Sequence, residues 1–394
     1  MTLDETLDIS IQRLSYSTSS IGSVQKPSLF HGKLPNTARR QFILGLALLM
    51  VVVFLWTSSN FALFQEGYDK PFLVTYMNTS AFSLYLLLFF WRKKGLSAGS
   101  VGFNTESMFT ILALNLIANY TPTQIPLSDN DSLPLTIQET AKLALLFCFI
   151  WFIANWTVNA SLNYTSIASA TILSSMSGFF TLGIGHIFLV EVLSLGKVAA
   201  VLMSFLGVMM VSISDSSSPG TQKPQPVIDG PPEHTLRPLL GDTLALLSAV
   251  FYAFYVILLK VRIRTESRID MQLFFGFVGL FNILLCWPIG MVLHFTGVEH
   301  FELPTTAWVV MAILTNMLVT LSSDYIYVLA MLKTTPLVVT IGLSLTIPLA
   351  VIGDFFFGKS TNGQVLIGAA LVLVSFIVVG IDNMYAVTGV NDEA

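Results

Sequence analysis

Ten apolar runs between Gln41 and Asn383 leave this chain few folds to choose from. Each is long enough for the ~20 residues that carry an α-helix across ~30 Å of hydrocarbon. They are too long for the strands of a membrane barrel, which need about 9–11 residues. In lipid every backbone N–H and C=O must be bonded within the protein, and a helix achieves that within one segment. Composition agrees: 54 % of the residues are hydrophobic and 11 % charged, against about 25 % charged in soluble domains. The mean hydropathy is +0.75. The expected fold is an all-α polytopic membrane protein whose surroundings are the lipid bilayer.

The apolar runs predict spans at 41–64, 71–91, 142–161, 166–190, 196–214, 239–263, 271–296, 305–332, 336–357 and 361–383. Met108–Tyr120 is apolar but too short to cross, so it reads as an interfacial helix in the loop 92–141. Residues 1–40 are polar and Ser-rich and read as a disordered cytosolic tail, and 384–394 read as a cytosolic tail. Asp4, Glu5 and Asp8 set the first tail apart from acid-poor mitochondrial presequences. No cleavable signal peptide is visible, and the first span reads as an uncleaved anchor.

The basic residues fix an orientation. With the N-terminus cytosolic, only Lys70, Lys223, Arg237 and Lys359 of the 19 Lys and Arg lie on the far side. The remainder cluster near Arg39, Arg92, Lys197, Arg264 and Lys333, all cytosolic. Such a bias follows the positive-inside rule and places both termini in the cytosol.

Residues 215–238 are rich in Ser and Pro and read as a linker. It divides the spans into 41–214 and 239–383, five and five. Because five is odd, the halves must be inverted relative to one another, a common transporter design. Spans four and nine match at one constant offset: Thr171 with Thr340, Ser175 with Ser344, Ser177 with Thr346.

Polar groups in hydrocarbon are costly and usually face a bundle interior or a water-filled cavity. Helical spacing aligns Asn155 with Asn159 on span three, and Thr171, Ser174, Ser175 and Gly178 on span four. It does the same for Asn316, Thr320, Ser323 and Asp324 on span eight, and for Thr340, Ser344 and Pro348 on span nine. Helix packing explains small-residue stripes equally well. Asp324 lies deep in span eight, where it must be paired, protonated or in contact with a cavity. Lys260 and Lys333 are the structural partners to consider. Tyr252 and Tyr255 are placed to stack on a flat cargo, a position that interfacial or core aromatics explain equally well, and Pro348 to kink span nine. Glu191, Asp242 and Asp354 sit near helix ends and read as interfacial. The substrate-binding candidates are Asn155, Thr171, Ser174, Ser175, Tyr252, Asp324, Thr340 and Ser344.

No metal-ligand cluster, cofactor motif, nucleotide-binding loop or nucleophile–His–acid set appears, so an enzyme is disfavoured. No basic block with interleaved aromatics points to nucleic acid. Cys148 and Cys286 fall inside spans and read as buried reduced thiols. The sequons at Asn78, Asn155, Asn159 and Asn163 lie in or against spans, where glycosylation is not expected on most of them. The sequence favours a secondary transporter of a small polar metabolite, its cavity lined by spans three, four, eight and nine. A non-transporting scaffold or sensor is the competing reading, but would need no paired polar stripes. A homodimer stays open.

Five stretches carry a family resemblance: YDKPFLVTYMNTSAF (68–82), WFIANWTVNASL (151–162), TSIASATILSSMSGFFTL (165–182), FFGFVGLFN (274–282) and GLSLTIPLAVIGD (342–354). With them the chain resembles the drug/metabolite transporter superfamily, and within it solute carrier family 35, subfamily F, including fungal vacuolar-membrane proteins. The resemblance implies a central cavity between two inverted repeats and alternating access. It implies nucleotide-sugar-like or thiamine-like cargo and a vacuolar membrane, and the residues themselves show neither.

Overall fold

In a computed structural model, the described residues are 36–63, 70–96, 134–216, 236–299, 306–356 and 362–388. The interfacial segment 108–120, most of the linker 215–238 and most of the first tail lie outside them. The chain divides into Met1–Arg39, of which only the helical residues 36–39 are described, and Arg40–Ala394.

The described residues form helices and turns without strands, and ten helical stretches are long and apolar enough to span a membrane. They are Arg39–Thr57, Pro71–Arg92, Ile137–Ser161, Ile167–Ile187, Leu195–Ser214, Pro238–Ile263, Met271–Phe295, Ala307–Lys333, Pro336–Phe356 and Gly363–Met384, here spans one to ten. All ten expected spans are present, and their ends shift where caps, not hydropathy, set them. Span three starts at Ile137, five residues before the apolar run. Glu139 N–H donates to Thr136 Oγ1 (3.3 Å) while Thr136 N–H donates to Glu139 Oε2 (2.8 Å), a capping box. Span seven starts under Asp270, which accepts from Gln272 N–H and Leu273 N–H.

Three spans are broken. Span two divides into Pro71–Ala81 and Leu84–Leu96. Span four divides into Ile167–Ser175 and Ser177–Ile187, and span nine into Pro336–Leu343 and Thr346–Phe356. Pro348 explains the last break. It has no N–H to offer the carbonyl of Ser344, four residues back, and its ring clashes there. Span four breaks in the matching register without a proline. Ser177 and Thr346, paired by the sequence offset, each open the second half-helix of their span.

Span two packs on seven, four on nine and five on ten. Burial is lopsided along spans four, eight and nine. In span nine, Pro336–Gly342 are all buried, whereas Pro348 is the only buried residue of Thr346–Phe356. In span four the second half-helix buries Gly178, Thr181, Leu182 and Gly185, and the first only Ala170. The buried residues of span eight fall mostly between Ser323 and Leu332. The bundle is therefore tight at the end where span eight runs into span nine, and loose at the other.

Polar contacts close the tight end. Arg92 pairs with Asp270. Lys333 pairs with Glu266 and donates to Gln41 Oε1 (2.8 Å). Leu135 N–H donates to Arg268 O (2.7 Å).

Candidate functional site

Asp324 is 2 % exposed, and its Oδ2 has no hydrogen-bond partner. Neither lysine considered from the sequence serves it. Lys260 Nζ donates to the carbonyls of Met331 (3.2 Å), Leu332 (2.9 Å) and Thr334 (2.7 Å), capping the C-terminus of span eight. Lys333 is taken by Glu266. A structural ion pair on Asp324 is thus replaced by two helix-end contacts, which leave the carboxyl to something else.

Aromatic rings surround that part of span eight. One residue before Asp324, Ser323 Oγ accepts from Trp56 Nε1 (2.9 Å). One turn after it, Tyr327 stacks on Trp56 with centroids 6.4 Å apart. The Tyr327 and Tyr252 hydroxyls share a hydrogen bond of 2.6 Å. Tyr252 meets Tyr255 edge-on at 5.0 Å, and Tyr255 meets Trp151 at 4.9 Å. Tyr85 donates to Leu321 O (2.7 Å). Spans one, two, three, six and eight thus supply a rigid aromatic wall around one carboxyl group.

Beside this wall lies a small cleft lined by Ser175, Ser177, Gly178, Val201, Ser204, Thr340, Ile341 and Ser344. It sits at the breaks of spans four and nine, where backbone groups lack part of their intrahelical bonding. Thr340 Oγ1 donates to Pro336 O (2.8 Å) and lies 3.4 Å from Thr181 Oγ1 across the two spans.

Of the residues picked from sequence, Ser175, Thr340 and Ser344 come together in the cleft, and Tyr252 and Asp324 in the aromatic cluster. Thr171 and Ser174 donate to carbonyls of their own helix, at Ile167 (2.7 Å) and Ala170 (2.6 Å), as Ser175 does to Ile172 (2.6 Å). Asn155 donates to Trp151 O (2.9 Å). Thr171, Ser174 and Asn155 do not line the cleft. Span five, absent from the expected lining, contributes Ser204 and Val201, because it packs where span four breaks. Span three contributes Trp151 to the wall instead of Asn155.

Glu191 corrects a further expectation. It is not solvated but 2 % exposed, bonded to Lys197 Nζ (2.7 Å) and to the Leu337 amide (3.0 Å). A glutamate just beyond an apolar run reads as solvated; here a turn folds it back under span nine. Asp242, on span six, accepts from Thr165 Oγ1 (2.7 Å) just ahead of span four.

The family model of solute carrier family 35, subfamily F, matches residues 68–381. A vacuolar membrane protein of Saccharomyces cerevisiae, described as uncharacterized, is 41 % identical over 86 % of this chain and 90 % of its own length. A thiamine-repressible mitochondrial transport protein of the same yeast is 35 % identical over 86 % of this chain and 91 % of its own length. A solved crystal structure aligns with a TM-score of 0.53 at 14 % identity, covering 85 % of this chain and 97 % of that one. At that identity the likeness shows the fold alone. The family and the named transport protein describe transporters, not enzymes.

Proposed function

The chain belongs to solute carrier family 35, subfamily F, and from that premise we propose that it is a secondary transporter of a small polar metabolite working by alternating access. The observation that carries this reading is the buried Asp324 carboxyl, whose Oδ2 lacks a partner among the described residues, in a bundle that also holds a hydroxyl-lined cleft at two broken spans. A structural carboxyl at that depth would be expected to have a protein partner, since an uncompensated polar group in hydrocarbon is costly. Asp324 therefore binds a cationic part of the cargo or carries the coupling proton. Tyr252 and Tyr327 orient the cargo, and Ser175, Thr340 and Ser344 offer hydroxyls to it. Thr171, Ser174 and Asn155 are further candidates that contact cargo only if spans three and four turn during the cycle.

Two inverted repeats, 41–214 and 239–383, joined by the linker 215–238, give such a cycle its two equivalent states. Both termini face the cytosol in this reading, supported by the lysine and arginine bias. The membrane is that of an endomembrane organelle, the vacuole being favoured by the yeast vacuolar relative, although the other yeast relative is mitochondrial. Nucleotide-sugar-like or thiamine-like cargo is supported by family resemblance alone.

Ligand-dependent thermal stabilisation of the purified protein across a metabolite panel tests the site. A true cargo should raise the melting temperature of the parent and fail to raise that of Asp324→Asn. Equal stabilisation of both proteins would remove Asp324 from the site.

A further inference from the structure

The ends of spans four and seven carry the same short sequence. GHIFLVE (185–191) and LHFTGVE (293–299) share His, Val and Glu in one register. Their backbones agree. The fifth residue is left-handed in each, Leu189 at φ 56° and Gly297 at φ 74°. The next two amides both donate to the carbonyl of the first residue. Val190 and Glu191 reach Gly185 O at 2.8 and 3.1 Å, and Val298 and Glu299 reach Leu293 O at 3.1 and 3.2 Å. Leucine rarely adopts this conformation, so the surroundings must hold it there.

Each turn throws its glutamate across a neighbouring span. Glu299 accepts from the Phe72 and Leu73 amides, both at 3.0 Å, directly after Pro71 at the start of span two. Glu191 accepts from the Leu337 amide at 3.0 Å, directly after Pro336 at the start of span nine. Helix N-termini favour a carboxylate through their free amides and dipole. Each tail ties its span to that span's counterpart in the other repeat, four to nine and seven to two, at opposite ends of the bundle.

What lies beneath the two ties differs. Spans seven and two stay in contact past Glu299. Asn282 Nδ2 donates to Tyr76 O and Ser80 Oγ at 3.0 and 2.8 Å, and a Cβ on Gly279 would stand 2.1 Å from Ser83 N. Past the Thr181–Thr340 contact, the facing halves of spans four and nine are largely unburied, with the hydroxyl cleft between them. Among the described residues, Glu191 alone of the two glutamates has a charged partner, Lys197 of span five, and the side chains of that pair are 0 % and 4 % exposed. Breaking a pair so dry strands a charge. Such a contact is made or broken as a whole, as a two-position catch requires.

We propose that Glu191, Lys197 and the Leu337 amide form the gate at one end of the transport path, and that Glu299 is a permanent staple at the other. The gate rests on the transporter reading. In the state described it is shut, and the cleft lies on its far side. Opening takes the Glu191 carboxylate off the Leu337 N–H and lets Pro336–Leu343 swing about the break at Ser344.

The test is sided labelling of the full chain in oriented proteoliposomes, with Ser204→Cys as reporter in a Cys148→Ala/Cys286→Ala background. A membrane-impermeant maleimide is added at one face at a time. The reporter should react from the face opposite Glu191, and about tenfold more slowly from the Glu191 face. Glu191→Gln and Lys197→Gln should each raise the slow rate severalfold, whereas Glu299→Gln should not. Unchanged sidedness in both gate variants would overturn the proposal, as would an equal rise in Glu299→Gln. If Glu191→Gln does not fold, Lys197→Gln decides. Labelling needs no cargo, so failed transport would refute the proposed function without bearing on this result.

Discussion

Gly207 on span five and Gly368 on span ten face each other so closely that neither can carry a side chain. A Cβ on Gly207 would stand 2.6 Å from Gly368 O, and one on Gly368 would stand 2.7 Å from Gly207 O. The contact is reciprocal. Small residues allow this approach because membrane helices associate by packing, not by a hydrophobic drive. Gly207→Val should push the spans apart and cost roughly 1–3 kcal/mol, the usual range for overpacking. A thermal melt of purified protein checks this. An unchanged melting temperature would mean that the two spans do not pack this way.

Lys260 serves the end of span eight and not Asp324. Lys260→Met removes three bonds to helix carbonyls and should lower stability by about 1–3 kcal/mol. It should not compensate Asp324→Asn. The effects of the two substitutions on stability should add, because they share no partner. Recovery of abundance in the double variant would restore the ion pair that the structure replaces.

Ser175 of span four and Ser344 of span nine share one cleft. Single cysteines at both positions should react with small water-soluble thiol reagents, and cargo should slow the reaction. Cysteine at Thr171, whose hydroxyl is turned to its own helix, should gain no protection from cargo. Inert cysteines at both cleft positions would make the stripes packing faces.

The orientation has its own check. In sealed vesicles with the cytosolic face outward, protease should spare 215–238 and cut the two termini. Cleavage within 215–238 from that face would reverse the assignment and break the five-plus-five division.

The spans were legible because twenty apolar residues allow one structure in lipid. So was the register of spans four and nine. The Ser177/Thr346 match anticipates where both second half-helices begin, and Pro348 explains one break. The aromatic wall was legible only at Tyr252 and Tyr255. Trp56, Trp151 and Tyr327 come from three other spans, and apolar rings on apolar helices carry no marker of who meets whom. Glu191 was misread, since proximity to a span end is what hydropathy registers. Its signal was nonetheless present, in the His and Val-Glu that recur in GHIFLVE and LHFTGVE. Asn155, Thr171 and Ser174 have the spacing of the stripes but do not line the cleft, a difference that helical spacing alone does not register.

The measurement closest to the central claim is uptake of a metabolite panel into proteoliposomes of the purified protein, with and without a pH gradient. The account predicts saturable, protein-dependent uptake of at least one small polar metabolite by the parent. It predicts loss of that uptake in Asp324→Asn protein that is folded and inserted to the same extent. Uptake by Asp324→Asn equal to that of the parent would contradict it, as would a panel in which protein-containing and empty liposomes cannot be told apart.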